Sequence, residues 1–243
     1  MVAYLCPDIV NAHFQISLAA LHHWDQKHAQ RITKHGDTVS HISGPRIAAG
    51  RNELVRAFLA HPKRPEWLFM VDSDMVFPPT LVEDLVSVAH PTIAPIVGAL
   101  CFAGGRSGQV RPTIGILTSN DPIEFDIVWD YPQDSMIKVD WTGAAALLIH
   151  RSVLEDLERR YEGRAHKWFA ESEFGEKDYG EDVTFCLRVR QAGYPVHVHT
   201  GIKVGHMKMQ VIDEETYLTY RRGITALGED NWRDKELARR GIG

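Results

Sequence analysis

Two aspartates, Asp72 and Asp74, follow directly after a run of five large apolar residues at positions 67–71. The apolar run predicts a buried strand that leads into an acidic turn. In open α/β folds, ligands bind at the carboxyl edge of the sheet, which is where this turn would lie. An Asp-Ser-Asp tripeptide there can offer carboxylate oxygens to a hard divalent ion, which can hold a diphosphate. Asp and Ser are also ordinary turn formers, so the tripeptide alone leaves both interpretations open.

A second acidic pair, Glu181 and Asp182, follows Gly180 and precedes a helical pattern. An acidic side chain at a helix start is favoured by the unpaired amides and by the helix dipole. Capping therefore explains the pair by itself. It would also lower the pKa of a carboxyl group and keep that group ionised, as a general base requires. The sequence leaves capping and base catalysis as alternatives.

Arg46, Arg51 and Asn52 lie among small residues near the start of another predicted helix. A guanidinium and an amide in that position can meet a phosphate. The alternative is a capped helix with exposed cations.

His206 follows a predicted late strand, whereas His197 and His199 alternate along a strand of their own. Alternating strand histidines are typical of partly buried structural positions, so a metal role is assigned to neither of those two.

The bulk composition of the chain is that of an ordinary soluble protein. Its 243 residues are 44% hydrophobic and 24% charged, which fits one large domain. A net charge of -5 argues against a uniformly basic nucleic-acid-binding surface. The three cysteines are far apart, no signal peptide is visible, and the longest apolar run, near positions 93–103, is too short to span a bilayer. We expect a soluble cytoplasmic protein.

Strand and helix patterns alternate over the first hundred residues. They predict parallel strands joined by right-handed crossovers, so that the carboxyl ends of the strands share one edge. Later apolar runs predict additional short strands and hence one α/β domain with a mixed, mainly parallel sheet. Asp8 is expected to cap the first helix, a mobile loop is expected at 103–108, and a polar loop at 163–180. The predicted strands are at 2–6, 39–42, 67–71, 93–102, 113–117, 125–128, 136–141, 144–149 and 196–198.

The order of these motifs resembles that of the GT-A fold glycosyltransferases, which have a Rossmann-like domain. The chain looks most like the small family 2-type enzymes found in bacteria and bacteriophages. The resemblance rests on residues 69–74, 179–188 and 204–206, and it is supported by Ala49–Asn52 and Val139–Gly143. It spans about residues 2–208.

The resemblance implies a metal centre and a donor pocket. Asp74, together with Asp72, would hold a Mn²⁺ or Mg²⁺ ion and the ribose or diphosphate of a nucleotide-sugar, and His206 would be a further metal ligand. Arg51 and Asn52 would line the donor pocket, with Ser73 in the acidic turn. A UDP-sugar is the expected donor. In such enzymes an acidic residue after the second strand often binds the nucleoside. It has no counterpart near positions 39–44, so the identity of the donor's nucleobase stays open.

The resemblance also implies an acceptor side. Asp182 would take the proton of the acceptor hydroxyl, which favours inversion at the sugar, and Glu181 would contact acceptor or sugar. Trp141, Thr142 and Gly143 would lie on the acceptor side. Residues 1–206 would form the catalytic domain, with a nucleotide-sugar half at about 1–105 and an acceptor half at about 106–206. Residues 207–243 would form a charged, partly helical extension.

Two alternatives to glycosyl transfer remain. A metal-dependent nucleotidyl- or phosphotransferase would share the acidic strand end and the ion, but it would release pyrophosphate and would not need Glu181 or Asp182. A non-catalytic module that binds nucleotide-sugars would use Asp182 for capping alone. The sequence does not determine the oligomeric state.

The acceptor is the least determined part of the function. A hydroxymethylated DNA base, a glycan and a protein are all candidates. A cluster of arginines near the end of the chain can contact phosphates, but interleaved acidic residues favour a solvated helix face. The cluster consists of Arg221, Arg222, Arg233, Arg239 and Arg240, with Trp232 beside it.

Overall fold

A computed structural model of the chain describes residues 1–226 apart from 8, 45, 105–109, 175–176 and 209–213. Most of the expected mobile loop at 103–108 and the arginines beyond 226 lie outside the described residues. Asp8, the expected cap of the first helix, also lies outside them. That helix starts at Ala12, and the side chain of Asn11 caps it by accepting a hydrogen bond from the amide of His13, 2.8 Å away.

The elements of the described chain follow one another from strand to helix for the first hundred residues, as predicted. The strands are β1 (Val2–Cys6), β2 (Thr38–Ile42), β3 (Trp67–Val71), β4 (Met75–Val76), β5 (Ile96–Leu100), β6 (Phe102–Gly104), β7 (Val110–Pro112), β8 (Ile114–Asn120), β9 (Ile123–Ile127), β10 (Met136–Val139), β11 (Trp141–Thr142), β12 (Ala146–His150), β13 (Ser172–Phe174), β14 (Lys177–Tyr179), β15 (Val196–Lys203) and β16 (Gly205–His206). The helices are α1 (Ala12–Lys27), α2 (Arg31–His35), α3 (Ile47–Ala60), α4 (Leu81–Val88), α5 (Arg151–Arg160), α6 (Glu181–Gln191) and α7 (Glu214–Ala226).

The main sheet has seven strands in the order β10-β15-β5-β12-β3-β1-β2. Strands β1, β2 and β3 are parallel, and β5 and β15 run in the same direction because both β3 and β5 are antiparallel to β12. Strand β10 runs antiparallel to β15. Five carboxyl ends therefore share one edge, which confirms the predicted mixed, mainly parallel α/β sheet.

Helices cover both faces of this sheet, which explains why its strands read as continuous apolar runs. Within β3, Leu68 and Met70 belong to a core shared with α3, α5 and α6. Phe69 and Val71 point the other way, into a core shared with α1, α2 and α4. Because each face is covered, β3 is fixed on both sides up to the residue before the acidic turn.

Three predictions about the second half of the sheet were wrong in detail. The expected strand at 136–141 is two strands in different sheets, because the chain turns at Asp140, whose carboxylate accepts a hydrogen bond from the amide of Leu117 at 2.8 Å. The expected strand at 196–198 continues to Lys203, where a register shift lets it pair again with β5. The expected polar loop at 163–180 contains the strand pair β13–β14.

The described chain divides into the unit Met1–Met207 and a segment that begins at Lys208 and includes α7. The three cysteines, Cys6, Cys101 and Cys186, are free thiols. No helix in the described part of the chain combines the length and the apolar composition needed to cross a bilayer.

Candidate active site

The acidic turn after β3 is held in place by a short strand pair. Strand β4 pairs antiparallel with β16, which sets His206 opposite Met75. The amide of Met207 donates to the carbonyl of Asp74 at 2.8 Å, and the amide of Asp72 donates to the carbonyl of Ala145 at 3.0 Å. These backbone bonds bring the end of β15 and β16 back to the turn at the carboxyl edge of the sheet.

This arrangement places His206 against Asp74. The Nε2 atom of His206 lies 3.0 Å from Oδ2 of Asp74, and its Nδ1 atom lies 3.0 Å from the carbonyl oxygen of Phe102. The hydrogen bond to Asp74 raises the pKa of His206 to about 10 although partial burial opposes the charge. In the absence of a metal, the imidazole is therefore a cation that donates from both nitrogens.

Arg51 connects the acidic turn to the start of α6. It is 4% exposed, and its Nη2 donates to Oδ1 of Asp72 at 2.8 Å while its Nε donates to Oε1 of Glu181 at 3.1 Å. Its Nη1 donates to the carbonyl of Ala144 at 3.3 Å. The alternative of an exposed cation is therefore wrong for Arg51, although the side chain of Arg46 is exposed.

Asp72 faces Arg51 rather than the Asp74–His206 pair. Burial raises the pKa of Asp72, and the nearby Arg51 guanidinium opposes that change. About a third of the side chain, 32%, remains open to water, so solvent moderates both effects. Ser73 lies in the turn between the two aspartates and is partly exposed.

Glu181 and Asp182 form the first turn of α6, with Gly180 as the N-cap. The Oδ1 atom of Asp182 accepts a hydrogen bond from the amide of Val183 at 2.7 Å. Burial raises the pKa of Asp182, and the Glu181 carboxylate raises it further. The expectation that capping lowers this pKa was wrong, because burial and neighbouring carboxylates outweigh one amide hydrogen bond and the Arg51 charge.

Asn52 is fully buried one residue after Arg51. Its amide nitrogen donates to the carbonyls of Ala48 at 2.5 Å and Phe169 at 2.7 Å, and its oxygen accepts from the amide of Trp168 at 3.2 Å. These contacts fasten the segment before the β13–β14 pair to α3. Direct contact of Asn52 with a donor stays a prediction.

The three expected acceptor-side residues do not share one environment. Trp141 is partly exposed, and Gly143 lies so close to Asp182 that a Cβ atom at 143 would be 3.8 Å from Oδ2 of Asp182. Thr142 is 1% exposed, and its hydroxyl is buried without a hydrogen-bond partner in the described structure. Thr142 therefore belongs to the core, whereas the ring of Trp141 packs over β8 and Gly143 lies between Thr113 and Asp182.

Phe125, the aromatic partner of Trp141, carried no motif signal in the sequence. The ring of Phe125 packs edge-on against Trp141 at 6.3 Å and against Tyr179 at 5.6 Å. The pairing of β9 with β8 and of β8 with β11 brings Phe125 there. This sheet order does not follow from any local pattern, so Phe125 was assigned only to a strand.

The described residues contain no group of three His, Cys, Asp or Glu side chains that could hold a metal ion by themselves. Asp74 and His206 offer one carboxylate and one imidazole. Magnesium and manganese sites in nucleotide-binding proteins commonly use one or two protein ligands and complete the shell with phosphate oxygens and water. The residues therefore fit a divalent ion that arrives with a diphosphate, and they do not form a cage for an ion alone.

A cavity of about 300 Å³ lies at the opposite end of the sheet, near the amino ends of β1 and β3. Its lining includes Ile32, Trp67 and Phe69. Each of its three cationic side chains already has a partner: Arg31 bonds to Glu83 at 2.9 Å, Lys63 to the carbonyl of Gly36 at 3.3 Å and Arg64 to Glu155 at 3.3 Å. No carboxylate pair or helix start with exposed amides lines this cavity, so we place the chemistry at the carboxyl edge.

Comparisons with known proteins identify the fold. The chain superimposes on GalNAc-T7, whose crystal structure contains UDP, GalNAc and Mn²⁺, with a TM-score of 0.55 and 11% identity over 86% of this chain and 43% of that one. It superimposes on A197 from STIV with a TM-score of 0.51 and 15% identity over 86% of both chains. No protein-family model and no curated protein sequence matches the chain. The chain has a GT-A-like glycosyltransferase fold, and it spans less than half of the GalNAc-T7 chain.

Proposed function

We propose that this protein is a metal-dependent glycosyltransferase that moves a sugar from a nucleotide-diphosphate donor, a UDP-sugar, to an acceptor hydroxyl. The observation that carries the proposal is the meeting of Asp74, His206, Arg51 and Asp182 at the carboxyl edge of a GT-A-like fold. The presence of UDP and Mn²⁺ in the GalNAc-T7 structure supports this choice of donor and ion.

In this proposal, Asp74 and His206 bind a Mn²⁺ or Mg²⁺ ion. When bound, the ion would offset the negative charge of the diphosphate as the glycosidic bond breaks. Asp72 and Ser73 contact the donor from the same turn. Arg51 holds Asp72 and Glu181 in place from within the core, because its side chain is buried and bonded to both carboxylates.

Asp182 is the base in the proposed reaction. The Glu181 carboxylate is already bonded to Arg51, whereas Oδ2 of Asp182 faces Gly143 on the acceptor side. The acceptor oxygen would form a bond to the anomeric carbon while the bond from that carbon to the phosphate oxygen breaks. The hydroxyl proton would pass to Asp182, and the nucleoside diphosphate would leave with the bonding electrons. Attack from the face opposite the leaving group gives inversion.

The proposal extends to the organisation of the chain. Residues of about 1–105 would form the nucleotide-sugar half and residues of about 106–206 the acceptor half of one catalytic domain, with 207–243 as an extension. Free thiols at all three cysteines support a reducing, cytoplasmic location.

The test is an assay of nucleoside diphosphate release. The protein is incubated with UDP-sugars, Mn²⁺ and candidate acceptors, and released UDP is measured alongside pyrophosphate. We expect UDP release that EDTA abolishes and that Asp182→Asn reduces at least about a hundredfold. Pyrophosphate release that is unaffected by Asp182→Asn would identify a nucleotidyltransferase. Binding of UDP with no turnover of any donor would identify the protein as a non-catalytic module that binds nucleotide-sugars.

A further inference from the structure

The acceptor side of the candidate site has a distinct chemical surface. Trp141, Phe125 and Tyr179 pack edge to face, and each is partly exposed. Tyr179 lies three positions before Asp182, and Trp141 lies two positions before Gly143. We call these three residues the aromatic wall. Two of its rings are thus carried by the short segments that also carry Asp182 and Gly143, and a Cβ atom at Gly143 would lie 3.8 Å from Oδ2 of Asp182.

Contacts with the backbone position two rings of the aromatic wall. The hydroxyl of Tyr179 donates to the carbonyl of Ile123 at 2.7 Å, which ties β14 to β9. A Cβ atom at Gly115 would lie 2.0 Å from the indole nitrogen of Trp141, so the absence of a side chain there lets the indole lie across β8. Aromatic side chains with few rotatable bonds, fixed in this way, lose little entropy when a ligand packs against them.

The stretch that contains β8 and β9, the two strands next to β11, is strongly acidic. Residues 112–137 contain no Lys, Arg or His and five carboxylates, all of them exposed: Asp121, Glu124, Asp126, Asp130 and Asp134. The flanking cations Arg111 and Lys138 do not balance this charge. The carboxylates Asp72, Asp74, Glu181 and Asp182 lie at the neighbouring sheet edge. A polyanion approaching this surface would meet repulsion over a Debye length of about 8 Å.

We infer that the acceptor is a neutral carbohydrate, a pyranoside that packs one face of its ring against the aromatic wall. The CH groups on that face are weakly positive and are attracted to the negative faces of aromatic rings. Carboxylates accept hydrogen bonds from sugar hydroxyls, so the acidic surroundings favour such a ligand. Nucleic acid needs clustered cations along its backbone, which residues 112–137 lack.

This inference rests on the proposed glycosyl transfer, and the experiment separates the two. UDP-sugar and Mn²⁺ are supplied with three acceptor classes: neutral alkyl or aryl pyranosides, duplex DNA containing hydroxymethylated bases, and Ser/Thr peptides. Products are identified by mass. If donor is hydrolysed but only DNA or peptide is glycosylated, the acceptor inference fails and the proposed function stands. If no donor is hydrolysed or transferred, the proposed function fails.

Variants test the wall itself. For Trp141→Ala we expect the acceptor KM to rise about tenfold with the donor KM unchanged, and for Trp141→Phe we expect an acceptor KM near that of the wild type. Trp129, which lies within the acidic stretch 112–137 and is 58% exposed, provides the control, and Trp129→Ala should leave the acceptor KM unchanged. Equal effects of both alanine variants would overturn the inference.

A measurement on the wild-type protein covers the case in which Trp141→Ala does not fold. In saturation-transfer NMR with irradiation of aromatic protons, a bound pyranoside should receive saturation mainly at the CH groups of one ring face. Transfer spread evenly over the sugar, or no transfer in the presence of UDP and Mn²⁺, would contradict contact with the aromatic wall.

Discussion

The Nε2 atom of His206 lies 3.0 Å from Oδ2 of Asp74, although 132 positions separate the two residues along the chain. The pairing of β4 with β16 produces this contact. One ring nitrogen and one carboxylate oxygen thus face each other at hydrogen-bond distance, and a divalent ion that binds the imidazole would replace the proton on that nitrogen.

This relationship predicts that metal binding depends on pH. His206 has a pKa of about 10 in the metal-free protein, so near neutral pH it carries a proton that a metal must displace. Affinity for Mn²⁺ should therefore rise with pH, by up to about tenfold per pH unit, until the pH reaches the His206 pKa of about 10. Electron paramagnetic resonance of free Mn²⁺ measures the affinity in the presence of UDP.

The control for this prediction is another strand histidine. His199 lies on β15 and is partly exposed, so His199→Gln should keep both the affinity and its pH dependence. His206→Gln should weaken Mn²⁺ binding and remove most of the pH dependence. A pH-independent affinity of the wild-type protein would show that no proton is displaced from His206.

Arg51 should be essential for stability. Arg51→Ala leaves Asp72 and Glu181 without their buried cation, and breaking such a buried ion pair costs about 3–5 kcal/mol. Arg51→Lys keeps the charge but cannot reach both carboxylates in the same planar geometry, so its loss should be intermediate. The free energy of unfolding in urea, followed by circular dichroism, measures both changes.

Arg56 provides the matched control on the same helix. Its side chain is 42% exposed and forms an ion pair with Glu53, so Arg56→Ala should lower the free energy of unfolding by about 1 kcal/mol or less. If Arg56→Ala and Arg51→Ala lower the free energy of unfolding by the same amount, the bonds of Arg51 to the two carboxylates contribute no more stability than an exposed ion pair.

Asn52 bonds to the backbone of Ala48, Trp168 and Phe169, so its substitution should affect activity through these neighbours, whether or not it also contacts the donor. Asn52→Asp has the same shape and keeps the acceptor for the amide of Trp168, but it cannot donate to the carbonyls of Ala48 and Phe169. Phe169 stacks on Phe185 of α6 with 4.6 Å between ring centroids. Loosening this contact should lower kcat while leaving the donor KM within about twofold.

The exposed Asn120 serves as the control for this change. Asn120→Asp introduces the same charge at the end of β8 and should alter neither kcat nor the free energy of unfolding. An Asn52→Asp variant with unchanged kcat and a strongly raised donor KM would instead show that Asn52 lines the donor pocket.

The pH dependence of activity should report on Asp182. A base must be ionised, so activity should fall as pH falls through the raised pKa of Asp182. Glu181 is a cause of that raised pKa, so Glu181→Gln should lower the pKa and move the acid limb of kcat/KM to lower pH. The exposed residue Glu162 supplies the control, because Glu162→Gln should not move the limb. A limb that moves to higher pH in Glu181→Gln would contradict the assignment of the base.

Local sequence determined most of the elements and the edge at which the acidic residues lie. A short run of apolar residues such as Trp67–Val71 favours a strand buried on both faces, and alternation with helices predicts its parallel pairing with β1. The position of Glu181 at a helix start is likewise predicted by its neighbours, Gly180 before it and the helical pattern after it. These features depend on interactions within a few positions of the chain, which a sequence pattern records directly.

The tertiary structure alone decided which of these residues meet. Arg51 reaches Glu181 across 130 positions and turns Asp72 away from His206, so the three expected metal ligands do not form one cluster in the described chain. The raised pKa of Asp182 and the packing of Phe125 against Trp141 arise in the same way. Burial and long-range strand pairing are properties of the assembled sheet, and no short stretch of sequence encodes them.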